Sequence, residues 1–547
     1  MSDGLVVKHQ TRSFFTGYTP LFVALFLAFG LSLLGIQWGR VEDWNADQMA
    51  FRELDAKGFP VDGYLKPPLD TYINKLLIIN PLGFVSKALN WSVKEHDSIE
   101  LLASRMLTIL LFCATIALLY GICRKFCGSQ SAAVITLIAG TSAGLLEYNH
   151  FGTADAPLVF WMTASFALSL LAGVSGKISH GLLAGVLAGL AGADKYNGII
   201  VAAALPAAVI SMQGWRAFSY WQILAGILGS FLGFFAGNPG CVFDFHNFYQ
   251  GFLYNFLTTP VYGGEAKRHN FVNFFLSFRE LIGWPAIIFL LLALIGTIKA
   301  AVDKTLSKVE WAVIVAALAV FVPYYLFFGR FSLLPVRFVL PATPFLLLMA
   351  APGIQRWYAR RNDVWVPLAL ILVYNILCCV EMGNAFMEDP RMKAQLFAMS
   401  NFTKGALVEN HHSPRWDRLG VDVRVMNMPW PGDHGGKFLE LLDNDPLINE
   451  GNRTFQSQYD DETFTEQGLK KRNPDYICID GASLKGSDDP RANTYFHQLG
   501  SDQLGYHKIF DAYARPRPKG HWCYPRHIDF INERMVIFQK ITAEAAP

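Results

Sequence analysis

Charge is what this chain has least of. Only 16% of its 547 residues are Asp, Glu, Lys or Arg, against 52% that are apolar, whereas a soluble globular protein carries about a quarter charged residues. The shortfall excludes an ordinary soluble protein and leaves a polytopic membrane protein. A long basic tract is missing too: the net charge is +2, and the basic residues sit in short clusters between apolar runs, so nothing here suits nucleic acid. The eight cysteines are scattered, mostly in or beside apolar runs where free cysteine acts as a small hydrophobe. Cys123 and Cys127 lack the second pair or histidine that a zinc site needs, and only Cys478 and Cys523 are placed to bridge. There is no nucleotide-binding glycine loop and no internal repeat. The polar segment Met1 to Thr16 precedes a full-length apolar run, which reads as a cytoplasmic tail before an uncleaved anchor.

Apolar stretches near the crossing length of about 20 residues lie at 18–38, 99–123, 130–147, 156–174, 179–193, 196–212, 217–237, 283–301, 310–328, 333–352 and 363–381. The expected fold is therefore an α-helical polytopic membrane protein of about eleven transmembrane helices. With the N-terminus in the cytoplasm, the inside loops hold Arg124-Lys125, Lys177, Arg216, Lys299 to Lys308 and Arg356 to Arg361, as the positive-inside rule requires. Loops 39–98, 148–155, 194–195, 239–282 and 329–332 then face outside. The runs on either side of Asp194-Lys195 are glycine-rich, which leaves open a re-entrant hairpin there.

The expected division is a transmembrane catalytic domain at 1–385, with external loops 39–98 and 239–282, and a soluble extracytoplasmic α/β domain at 386–547. In the second part, strands are expected at Val421 to Met426, Asp475 to Ile479 and Met535 to Gln539, and helices at Asp389 to Met399 and Lys437 to Leu442. The expected location is the plasma (inner) membrane.

Carboxylates at the mouth of a span are costly unless they have work to do. Asp43 caps a helix starting at Trp44, and Asp47 follows one turn later on the same face, suiting a general base; a cap and a solvated carboxylate is the plainer alternative. Lys66 precedes Pro67-Pro68, which opens a helix with Leu69, Tyr72, Ile73, Leu76 and Leu77 on one face. Such a helix lies in the interface and puts Lys66 at phosphate depth, unless it merely snorkels. Asp155 starts a helix, where the dipole favours a carboxylate. Asp194 and Lys195 are free to pair with each other at a turn. Arg337, inside the run Leu333 to Pro341, needs an anion, from the protein or from a ligand phosphate. His411-His412 and His434 lack matched metal ligands.

The pattern resembles the C-type glycosyltransferases, the superfamily of the protein O-mannosyltransferases and of the aminoarabinose transferase of lipid A. The resemblance rests, in order along residues 15–355, on Asn45-Ala46-Asp47-Gln48, Lys66 to Leu69, Thr153 to Pro157, Lys195-Tyr196-Asn197-Gly198 and Arg337 to Pro344. Gln48 stands where many relatives carry Glu, so a second carboxylate in that loop would have to be Asp43. Asn238-Pro239 and Gly264 to Asn270, with His269, resemble weaker features of the long external loop. The resemblance implies an enzyme that transfers a sugar from a polyprenyl-phosphate-linked donor to an acceptor hydroxyl on a lipid, glycan or protein, at the extracytoplasmic face and with inversion. It implies Asp47 as base, Asp155 as a second catalytic residue or ligand of a divalent metal ion, Lys66, Lys195 and Arg337 as phosphate contacts, and Asp43, Tyr196 and His269 as further substrate-binding residues. A polytopic transporter or lipid flippase is the alternative.

Overall fold

Every one of the eleven apolar segments is helical in the structure, a computed structural model that describes residues 17–39, 52–61, 63–91, 93–215, 217–258, 270–331, 334–360, 365–411, 423–428, 464–481, 490–514 and 534–541. Among these residues, eight helices are long and apolar enough to cross a membrane, or nine if the bent pair Ser129–Gly140 and Ala143–His150 is one span. Two shorter apolar helices, Thr19–Leu33 and Ile178–Asp194, complete the set. The bent pair meets at 56°. At its break the hydroxyls of Thr141 and Ser142 bond back to the carbonyls of Leu137 and Ile138, at 2.8 and 2.6 Å, a competition with the backbone ladder that bends helices.

In chain order the helices are α1 (Thr19–Leu33), α2 (Leu69–Asn74), α3 (Asn80–Leu89), α4 (Val93–Phe126), α5 (Ser129–Gly140), α6 (Ala143–Glu147), α7 (Asp155–Ser175), α8 (Ile178–Asp194) and α9 (Ala204–Gln213). They continue as α10 (Ala217–Gly237), α11 (Gly240–Phe243), α12 (Phe245–Thr258), α13 (Phe271–Ile282), α14 (Trp284–Val302), α15 (Lys308–Phe328), α16 (Thr343–Arg360), α17 (Trp365–Met387) and α18 (Pro390–Asn401).

Glycine decides the packing around α8. Gly181, Gly185 and Gly189 recur every fourth residue, and a side chain on any of them would strike the backbone of Gln222, Gly226 or Ser230 of α10. Small residues at this spacing let two helices approach to backbone contact, which apolar surroundings alone do not drive. The ascending order of these contacts shows that α8 and α10 run in the same direction. The chain between them must therefore return along the whole bundle. It does: Lys195 meets Asp155 at the start of α7, and Gln213 donates to Ala172 and Gly173 near its end. Residues 196–213 thus form a full crossing, and the glycines serve packing, not a re-entrant hairpin.

Arg124 and Arg356, from the expected inside loops, lie at one end. Arg356 donates to both oxygens of Glu310, at 2.6 and 3.0 Å, and Ser307 with Glu310 forms a capping box that starts α15. Arg124 stacks over Tyr18 at 4.1 Å. The opposite end holds Asp155, Lys195 and the 3₁₀ turns Val336–Phe338 and Leu340–Ala342. Arg337 therefore lies in a half-buried turn before α16, 5.7 Å from the Phe338 ring, rather than inside the helix that the apolar run from Leu333 suggests; Pro335 and Pro341 delay the regular helix to Thr343.

The helix after Pro67-Pro68 is inverted in polarity. Asp70, Thr71 and Asn74 face the protein and are buried, whereas Leu76, Leu77, Phe84 and Leu89 are exposed. A π-helical turn at Lys75–Ile79 shifts the helical register between them. Polar inside and apolar outside is the order expected where the outside is lipid.

Beyond α17, among the described residues, five strands form a mixed sheet of order β2-β1-β3-β5-β4: β1 (Leu407–His411), β2 (Arg424–Met428), β3 (Tyr476–Asp480), β4 (Tyr506–Tyr513) and β5 (Arg534–Lys540). β1 is parallel to β2 and β3, and β5 is antiparallel to β3 and β4. Alternation sends Val408, Cys478 and Ile537 against α18 and Ile477, Ile479 and Phe538 against helix Pro490–Gly500. β1 escapes the sequence pattern because its buried positions include Glu409, Asn410 and His411. The expected helix at Lys437 to Leu442 lies outside the described residues, as does Cys523.

Candidate functional site

Two prolines strip residues 63–70 of backbone partners, so side chains from distant elements must satisfy its carbonyls. Arg52 donates to Gly63 and Pro67, at 2.7 and 3.2 Å. Tyr196 donates its hydroxyl to the carbonyl of Tyr64 at 2.7 Å, and Asn255 donates to that of Leu65 at 2.5 Å. Gly240 and Gly251 are required here, since a side chain on either would collide with Tyr64. Burial, then the charge of Asp244, pushes the Tyr64 phenol well up, so it stays neutral. Lys66 is thus a half-buried cation on a braced segment, and the expected site residue Tyr196 is one of the braces.

Asp155 is the first residue of α7, yet it does not cap that helix. One carboxylate oxygen accepts from Thr153 at 2.9 Å and the other from Lys195 at 2.5 Å. The Asp155 side chain is 3% exposed and that of Lys195 26%, so the lysine keeps a path to the surface while its partner does not. Lys195 is extended (φ −142°, ψ 134°) after the last turn of α8, and extended backbone throws successive side chains to opposite sides. That is why Lys195 reaches Asp155, 40 positions away, and not its neighbour Asp194. Asn197 donates to the Tyr324 hydroxyl at 2.5 Å, tying the same turn to α15.

Beside Ala156 lies a small, largely apolar cavity lined also by Phe112, Ile116, Val159, Leu340 and Leu347, among others. It joins the start of α7 to the turn that follows Arg337. The structure therefore brings Asp155 and Lys195 into contact, links Tyr196 to the Lys66 segment, and sets Arg337 three residues before a wall of the cavity that Ala156 also lines. Asp43, Asp47 and His269 lie outside the described residues. Among the described residues no three His, Cys, Asp or Glu side chains converge to hold a metal. Among the described residues, Asp155, the candidate ligand, accepts from Lys195 and Thr153.

Sequence reasoning did not single out Asp70, Asn74 or Arg52. Asp70 and Asn74 are a helical turn apart on the face opposite the apolar one, and that spacing was the available signal. Burial first, and the neighbouring Asp155 second, push the Asp70 carboxyl up to about 7, against the opposing pull of Lys195.

A bundle of this size, bent at α5–α6, with an ion pair at one end and a sheet domain after the last span, defines a multi-pass membrane protein, and its fold is like that of the C-type glycosyltransferase ArnT. The comparisons agree. Residues 97–236 match the family model described as dolichyl-phosphate-mannose-protein mannosyltransferase. Among solved structures, ArnT from Cupriavidus metallidurans bound to undecaprenyl phosphate is similar over 96% of this chain and 98% of its own, with 12% identity and a TM-score of 0.54. The Archaeoglobus fulgidus oligosaccharyltransferase in the apo form matches over 92% and 74%, with 12% identity and a TM-score of 0.48. No curated protein matches the sequence.

Proposed function

We propose that this protein is a membrane glycosyltransferase that moves a sugar from a polyprenyl-phosphate-linked donor to an acceptor hydroxyl. The observation that carries this reading is the Asp155–Lys195 pair, 2.5 Å apart, one residue from Ala156, which lines an apolar cavity, in a fold shared with a transferase whose structure contains undecaprenyl phosphate. The half-exposed cations Lys66, Lys195 and Arg337 suit the phosphate. Asp47 takes the proton of the acceptor hydroxyl. The oxygen attacks the anomeric carbon opposite the phosphate, the bond from that carbon to the phosphate oxygen breaks, and the lipid phosphate leaves with the electron pair, so configuration inverts. At ~4 Å each cation attracts a phosphate oxygen by about 4 kcal/mol at an effective dielectric near 20. Asp155 orients this machinery, and Asp43, Tyr196 and His269 line the substrate path.

In this reading residues 1–385 are the catalytic domain, and residues 386–547 lie outside the plasma (inner) membrane and dock a lipid, glycan or protein acceptor. The test is direct. Lipid extracted with the purified protein should contain a polyprenyl-phosphate sugar by mass spectrometry, and Asp47→Asn should abolish transfer while leaving the fold intact. A fully active Asp47→Asn variant would discard the base, and a protein that binds no polyprenyl phosphate would discard the class.

A further inference from the structure

Behind the Asp155–Lys195 pair lie two more carboxylates that it does not neutralise. Asp194, at the end of α8, is fully buried, and neither of its oxygens has a hydrogen-bond partner. Asp70, on α2, is 3% exposed and one of its oxygens is likewise unpartnered. The backbone brings them together. Gly237 packs against both Ala193 and Leu69, the residues just before Asp194 and Asp70, and is itself followed by Asn238. Asn238 is fully buried and both polar atoms of its side chain are unpartnered; so is the Oδ1 atom of Asn74, whose Nδ2 donates to Asp70.

We propose that Asp70 and Asp194 hold one proton between them, directly or through a water, and that this shared proton lets Lys195 leave Asp155 for an anionic phosphate.

Three buried carboxylates face one lysine, and leaving all three ionised would strand two uncompensated charges in the protein, at a cost of several kcal/mol each. Asp155 is fully served by Lys195 and Thr153, so the proton belongs to the remaining two, which cannot both be ionised at close range. Five oxygen and nitrogen atoms without partners, on Asp70, Asp194 and Asn238, are accounted for by one proton and ordered water. The titratable groups that bear on the pair are Asp155 from α7 and Lys195. From the α10 side the neighbour is neutral Asn238, while Arg52, Asp55 and Asp244 bear on Tyr72 of α2.

The consequence rests on the proposed transferase reading. With one proton the pair carries a single negative charge and Lys195 is free to exchange partners; once that proton is lost the doubly charged pair holds the lysine back. Affinity for a polyprenyl phosphate should then fall as pH rises above neutrality, by up to about tenfold per pH unit for one linked proton.

Two measurements test this on the full-length protein in lipid nanodiscs. Infrared spectroscopy with isotope-labelled aspartate should show a protonated carboxyl at neutral pH that disappears in both Asp70→Asn and Asp194→Asn. Its persistence in both variants, or its absence from the wild type, overturns the shared proton whatever the protein's activity. The dissociation constant of undecaprenyl phosphate should rise with pH in the wild type and be flat in either variant. A rise that survives in the variants overturns the link to Lys195. A protein that binds no undecaprenyl phosphate at any pH would overturn the transferase reading and with it that link, while the infrared result still decides the pair.

Discussion

The indole nitrogen of Trp38 donates to Asp389 at 2.9 Å, across 351 positions of sequence. Trp38 lies on the segment that leaves α1; Asp389 caps α18, the first helix of the sheet domain. Arg391 clamps the same carboxylate, at 2.8 and 3.1 Å, and its guanidinium stands 5.2 Å from the indole ring, while Arg105 from α4 stands 5.7 Å from it and donates to the carbonyls of Ile36 and Trp38. The chain that leaves α1 and the start of α18 thus meet at one buried aromatic ring.

This mooring should be fragile to removal of its anion. Asp389→Ala removes the buried carboxylate that both Arg391 and Trp38 bond, which costs on the order of 3–5 kcal/mol, whereas Trp38→Phe loses the indole's bond to Asp389, worth about 1 kcal/mol. Thermal unfolding in detergent should rank the two in that order.

Lys195→Met should abolish donor binding and also destabilise the protein, because Asp155 becomes a buried charge with no cation. Adding Asp155→Asn should restore much of the stability and none of the binding. A thermal-shift series alongside a lipid-binding assay separates these effects; recovery of binding in the double variant would count against Lys195 as a phosphate contact.

Gly185→Leu should prevent α8 and α10 from closing. The clash is with the backbone of Gly226, which cannot rotate away as a side chain can, and even Gly185→Ala should cost about 1–3 kcal/mol. Yield of monodisperse protein and its melting temperature report the effect.

In the sheet domain, Glu409 is fully buried and accepts from His411 at 2.8 Å, Arg472 at 2.8 Å and Tyr495 at 2.7 Å. Burial alone would raise its carboxyl, but the bonds from His411 and Arg472 outweigh it and bring it down to about 2. A folded-state value below the unfolded one stabilises the fold above the unfolded value and ceases to do so as pH falls through the folded one. The domain should therefore lose stability between about pH 4.5 and pH 2, and Glu409→Gln should be less stable at neutral pH and flatter across that window, as followed by circular dichroism.

The helical class of this protein was legible because hydropathy is a local property: about 20 apolar residues in a row have few other ways to bury their backbone. The spans, the basic end of the bundle and strands β3 and β5 followed from such runs. Strands β1 and β4 did not, since β1 buries Glu409 and His411 in a network supplied by Arg472 and Tyr495, and no local pattern announces those partners. The Asp155–Lys195 contact was half legible: each residue stood out, but Lys195 was as free to pair with Asp194 until the extended backbone after α8 turned it the other way.

Sequence alone determined that the chain is a membrane protein, which segments are apolar enough to cross and which residues are too polar for where they stand, because each follows from the transfer energy of a short segment. Only the tertiary structure decided which charges meet. Asp70, Asp194 and Asn238 lie far apart along the chain, and nothing but the closure of Leu69, Ala193 and Gly237 on one another makes them a cluster. Pairing energy depends on distance and burial in three dimensions, and neither is written in spacing along the chain.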